Sequence, residues 1–447
     1  MEPPPPRSLP SLPYELITQI VLYLDSQTVL CQLTQTCKRL RDVFQPILFR
    51  TFTQNSQPVS RLVTFLRAVA SRPDLAAAVT TLNFYDSLTV SDISARDILF
   101  IETCIANRGL PPPPADWHIE GTNRHIPFET LLAYTPNLET LHFPVNEEWS
   151  LDLLPVFSDV VPKIEFPRLR HLSIDYAYVA GDRWGVGYDQ IAPFLEASPN
   201  LEYLSLPTVE GFWEDYGCEL PALNSVQTLD LGESSSGLFF VASMIKGCGS
   251  LETFTLHWLR ASGYDESHEG WSVVEVWDAL YQVRGTIREI TFESMVDIPL
   301  GMPTAKSVSS LSEFTHLTVL KVNGRSLEGM FQAWTLTTGS SDMDAFVGQV
   351  FPSALRSLSI WIPSYVLIPA LLALARMKSR GQYGELTAVE IGTSPVFQEW
   401  LPRPEWLRNE AEMRREFARA GVQLKMEIPH IPGGMLQFAL LQGGLIG

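Results

Sequence analysis

The chain has 447 residues, 45% of them hydrophobic and 11% aromatic, enough apolar material for an extensive core and unlike a disordered composition. Its formal charge is −18, and the first 52 residues hold five basic side chains against four acidic ones, so the remainder carries −19, which disfavours nucleic acid and anionic membrane as partners. Five scattered cysteines without a Cys-x-x-Cys spacing, no signal-peptide pattern at the N-terminus and no apolar stretch long enough to span a bilayer lead to an expected cytoplasmic or nuclear location.

Residues 1–10 are Pro-rich and read as a flexible lead-in. From Leu12 the pattern changes to three helices. Leu16, Ile17, Ile20, Val21 and Leu24 form a wide apolar stripe on the first, with Pro13 suited to its opening turn. Val29, Leu30, Leu33, Cys37, Leu40, Val43 and Phe44 mark the second, and Pro46 is expected to open a short third with Ile47, Leu48, Phe49 and Phe52. A unit this small, with no metal or disulfide pattern of its own, calls for a partner to cover its apolar surface.

The stretch Leu12-Pro13-Tyr14-Glu15-Leu16-Ile17, followed by Ile20, Leu24, Leu30, Leu33, then Cys37-Lys38-Arg39-Leu40-Arg41 and Phe49-Arg50, resembles an F-box over residues 11–52. One departure is Thr36, where that family usually has an apolar residue such as Val. The resemblance implies docking onto a Skp-type adaptor of a cullin–RING ubiquitin ligase. The contacts it implies are Leu12, Pro13, Leu16, Ile17, Ile20, Leu24, Leu30, Leu33, Cys37, Leu40 and Phe49.

Residues 53–78 read as a linker helix, and residues 79–428 as a repeat array. The repeated unit is Leu-x-x-Leu-x-Leu, seen in Leu201-Leu204-Leu206 within Pro199-Asn200-Leu201-Glu202-Tyr203-Leu204-Ser205-Leu206. Copies recur at Leu138-Leu141-Phe143, Leu169-Leu172-Ile174, Val226-Leu229-Leu231, Leu251-Phe254-Leu256, Ile287-Ile290-Phe292, Leu317-Leu320-Val322 and Leu355-Leu358-Ile360, with weaker ones at Val79-Leu82-Phe84 and Leu386-Val389-Ile391. The last two apolar positions stand two residues apart, the strand period, and segments of helical spacing precede most copies. One strand and one helix cannot bury their own apolar faces, whereas stacked copies share a core. The expected fold is therefore α/β: a small three-helix F-box followed by an irregular solenoid of short parallel strands alternating with helices. The array resembles the leucine-rich repeats of fungal F-box proteins, although the Asn or Cys usual in that pattern occurs only as Asn146. A charged helix after Arg403 leads to an expected closing strand within 422–428, and residues 429–447 form a tail that is either flexible or a flap on the last repeat.

No phosphate-binding loop, nucleophile elbow or zinc-protease motif occurs, so no enzyme activity and no cofactor are expected. Gly185-Val186-Gly187 lacks the third glycine of a dinucleotide loop, and His257, Asp265, His268 and Glu269 read as solvated loop residues rather than metal ligands. Recognition is the better reading. Residues between and beside each inward pair point to the opposite sheet face, where Asp175, Tyr203, Asp230, His257, Glu289 and Glu293 would meet a target, with Trp184, Trp213 and Trp258 as a rim. Such a face is negative and favours a basic target. Two functions fit: a substrate receptor that directs ubiquitin transfer, or a scaffold that works with the adaptor but directs none.

Overall fold

The computed structural model describes residues 9, 12–21, 23–24, 26–55, 58–85, 93–113, 117, 126–145, 164–176, 188–206, 223–234, 238–258, 273–294, 311–339, 341–361, 367–392 and 404–426. Asn146, Trp184, Gly185 to Gly187, Trp213, Asp265, His268, Glu269 and the 429–447 tail lie outside them. The chain divides into two units, Met1–Leu204 and Ser205–Gly447.

The first unit begins with α1 (Tyr14–Val21), α2 (Gln27–Thr36) and α3 (Lys38–Leu48). Ser26 caps α2, its hydroxyl accepting from the Val29 N–H at 3.4 Å. The helix break differs from the expected one. Cys37 is extended (φ −159°, ψ 162°) and separates α2 from α3, whereas Pro46 lies inside α3 and opens nothing. Near a helix end a proline forfeits only one intrahelical bond, so the turn survives it. Ile17, Val21, Leu30, Leu40, Val43 and Phe44 form the bundle's core.

The strands start earlier than residue 79. Phe52 belongs to β1 (Thr51–Gln54), which runs parallel to β2 (Thr81–Phe84) with Phe52 opposite Leu82. Between them stand α4 (Val59–Ser71) and α5 (Pro73–Ala78), separated at Arg72 because the residue before a proline is driven out of helical geometry. Next come α6 (Ala95–Asn107), α7 (Ile126–Tyr134), β3 (Thr140–Val145), β4 (His171–Tyr176) and α8 (Tyr188–Ala197). Helix α6 stops where the left-handed glycine suggests: Gly109 has φ +66°, and the Leu110 and Gly109 N–H groups return to the Ile105 and Ala106 carbonyls.

Strands β1 to β4 lie side by side in chain order, all parallel. The chain leaves this unit within the short strand β5 (Tyr203–Ser205). The second unit holds β6 (Thr228–Ser234), α9 (Leu238–Gly247), β7 (Thr253–Trp258), α10 (Val273–Gln282), β8 (Glu289–Ser294), β9 (Val319–Asn323), α11 (Gly324–Thr338), α12 (Met343–Val350), β10 (Ser357–Trp361), α13 (Ile368–Ser379), β11 (Ala388–Gly392), α14 (Pro404–Arg419) and β12 (Gln423–Met426). Its strands are likewise parallel and in chain order.

The three apolar residues of every sequence copy are at most 3% exposed. Burial alone does not align the strands; a backbone joint does. The residue just before most strands offers its carbonyl to two consecutive N–H groups of the next copy, as Arg170 does to Glu202 and Tyr203, and Arg288 does to Thr318 and Val319. The Pro-Asn-Leu motif has its own task. The Asn137 and Asn200 amides donate to the Ala77 and Pro167 carbonyls at 2.8 and 2.9 Å, so each ties its turn to the preceding copy.

Candidate functional site

On α1, Ile17 and Val21 stand one turn apart and face the bundle core, which turns Leu16, one residue earlier and about 100° round the helix, toward solvent. Tyr14 is 60% exposed, Leu16 45%, Tyr23 84% and Val29 37%. These are four of the six large hydrophobic side chains exposed among the described residues, gathered into the first two helices and their connection. Singly such residues mean little, but four of them on a domain this small leave it with exposed apolar surface.

The implied contact residues therefore separate into two groups. Pro13 and Leu16 are exposed, and Ile20 is half-buried. Ile17, Leu30 and Leu40 are core, and Leu12, Leu24, Leu33 and Cys37 pack partly against it, so these seven hold the helices in shape. Phe49 stacks on Phe65 at 5.2 Å. Tyr14, Tyr23 and Val29 were absent from the implied contacts; Val29 was read only as part of the buried stripe of the second helix, whereas it is exposed.

Residues 9–55 match the F-box-like family model. The chain carries an N-terminal F-box-like domain. Such a domain is a non-catalytic module that binds an adaptor of the Skp type within a larger complex. Comparison of the whole chain with curated proteins finds no match. No helix among the described residues is long and apolar enough to cross a membrane, and no cluster of His, Cys, Asp and Glu among them is placed to hold a metal ion.

Beyond the F-box-like domain, the outward residues of the strands form polar rows. In the first unit, Thr140, Leu141, His142, His171, Ser173 and Tyr203 line an open pocket of about 320 Å³. The Tyr85 ring lies 4.8 Å from that of His142, and the Tyr203 ring 6.0 Å from that of His171. Asp175, half exposed, places Oδ2 3.4 Å from His142 Nε2, which is ion-pair reach without hydrogen-bond alignment. Tyr85 was missed from sequence because it follows one of the weaker repeat copies.

In the second unit the expected acidic residues are engaged rather than bare. Lys321 Nζ donates to Glu289 Oε1 at 2.7 Å; Glu390, not among the expected residues, likewise accepts from Lys425 Nζ at 2.6 Å. Asp230 Oδ1 accepts from the Gly232 N–H, where β6 bulges against β7. His257 and Glu293 are cross-strand partners, with Nδ1 2.9 Å from Oε2, while Glu293 Oε1 is buried without a hydrogen bond. Trp361 stands three strands from His257, about 14 Å at ordinary strand spacing, yet their rings approach to 5.7 Å. The two rings therefore lean over Glu293 and Asn323, which are fully buried beneath them. Trp258 ends β7, and nothing is described of its side chain.

Proposed function

We propose that this protein is a substrate-recognition subunit of a Skp–cullin–F-box type ubiquitin ligase. In this reading the F-box-like domain holds the Skp-type adaptor, through which cullin and RING subunits are reached. The strand copies beyond it are irregular leucine-rich repeats whose outward faces hold a target protein, in the cytoplasm or nucleus. The observation that carries the reading is the exposure of Tyr14, Leu16, Tyr23 and Val29 on a domain that matches the F-box-like family.

Binding of purified full-length protein to a Skp-type adaptor tests it. Leu16→Asp combined with Tyr23→Asp removes two exposed apolar anchors without touching the core, so adaptor binding should fall by at least 100-fold, about 2.7 kcal/mol or more, with the unfolding midpoint nearly unchanged. Unchanged adaptor affinity in this variant defeats the docking face. Ile17→Asp is the contrasting control, and it should unfold the bundle by placing a charge in its core. Recovery of cullin with the wild-type complex favours a ligase receptor. A complex that contains adaptor but never cullin favours the scaffold role.

A further inference from the structure

The open pocket of the first unit has a chemistry more specific than that of a general protein-binding face. Its lining is largely apolar, formed by the rings of His142, His171 and Tyr203 with Leu141, and the exposed Tyr85 ring extends it over His142. No Lys or Arg is among the described residues that line it. Aromatic faces attract cations through their quadrupoles, and they favour the planar, weakly hydrated guanidinium over the compact ammonium.

Asp175 provides the counter-charge. It stands two residues after Ser173 on β4, so both point to the same sheet face, and its side chain is 46% exposed. Its approach to His142 is not a hydrogen bond, which leaves the carboxylate able to accept from a planar donor. The volume lies at the small end of ordinary ligand sites, which suits one side chain rather than a folded surface. We propose that this pocket receives an arginine side chain of the target protein, its guanidinium stacked against the His and Tyr rings and paired with Asp175. The proposal deepens the receptor reading above, and it rests on that reading for the source of the arginine.

The test uses full-length protein carrying [13C]ε1-histidine, in which the His142 and His171 signals are assigned by His142→Gln and His171→Gln among the eight histidines. N-acetyl-arginine methylamide is the probe. It should shift those two signals saturably, with a Kd on the order of 1 mM. Asp175→Asn should weaken it about tenfold, since the partner is half exposed and the charge-assisted bond is lost. The citrulline analogue, of the same shape but uncharged, should not bind. Absence of shifts, equal binding of the citrulline analogue, or unchanged affinity in Asp175→Asn overturns the proposal. Free arginine binding at least tenfold tighter than the blocked form also overturns it, because the site would then serve a free amino acid. Adaptor binding measured on the same sample keeps the two readings apart. If it is retained while the probe fails, only the pocket assignment falls; if it is lost while the probe binds, only the docking assignment falls.

Discussion

Tyr383 shows how one side chain joins two elements of the second unit. It sits in the turn before β11 with a positive φ of 51°, a conformation that a non-glycine residue adopts only when its surroundings hold it there. The holding interactions are visible: its hydroxyl donates to the Val347 carbonyl at 2.7 Å, with the Phe351 carbonyl at 3.3 Å, both at the end of α12. Burial pushes its phenol up to about 12. The folded value exceeds the unfolded one, so the unfolded chain releases this proton first. The resulting stability is complete below about pH 10 and is lost as pH rises toward 12. Tyr383→Phe should cost about 1–2 kcal/mol at neutral pH, because carbonyl acceptors lose their donor. The same variant should lose less additional stability than wild type between pH 10 and 12 in urea titrations. An equally steep alkaline decline in both proteins would assign that decline to other groups.

At the scale of the element, strand parity assigns faces without assigning exposure. On β9, Leu320 is fully buried while Lys321, its neighbour, reaches across to Glu289 with roughly a third of each side chain exposed. Leu320→Ala should therefore cost about 2–5 kcal/mol, whereas Lys321→Ala should stay within about 1 kcal/mol, since an ion pair this exposed contributes little. Equal losses in chemical denaturation would show that the register of β9 is misplaced. Other outward positions would mislead as surface controls: Ser205, Thr291 and Ser359 have the outward parity and are buried nonetheless. At Glu293 and Asn323 the cover comes from side chains on other strands, His257 and Trp361.

At the scale of the molecule, the F-box-like domain is continuous with the next helices and strands of the first unit. Phe49 and Phe52 stack on Phe65 of α4 at 5.2 and 4.4 Å, Phe52 meets Phe84 of β2 at 5.9 Å, and Phe84 meets Phe128 of α7 at 4.9 Å. Phe65→Ala should cost about 3 kcal/mol and lower hydrogen-exchange protection in α3, β1 and β2 together. A loss confined to α4 would mean that the domain folds on its own. The amino-acid sequence by itself determined the first F-box-like helix, the strand positions of the Leu-x-x-Leu-x-Leu copies and their inward triads, because all of these arise from local periodicity: a stripe along a helix, an alternation along a strand, a breaker between them. Tertiary structure decided the rest. It placed Phe52 on a strand rather than a third helix, moved Ile17, Leu30 and Leu40 from docking surface to core, and engaged Glu289 with Lys321. It also brought His142, His171 and Tyr203 around one pocket, with Tyr85 and Asp175 beside His142. Periodicity gives the direction of a side chain from its own backbone, but its burial and its partner depend on neighbouring strands that arrive some thirty or more residues later in the chain.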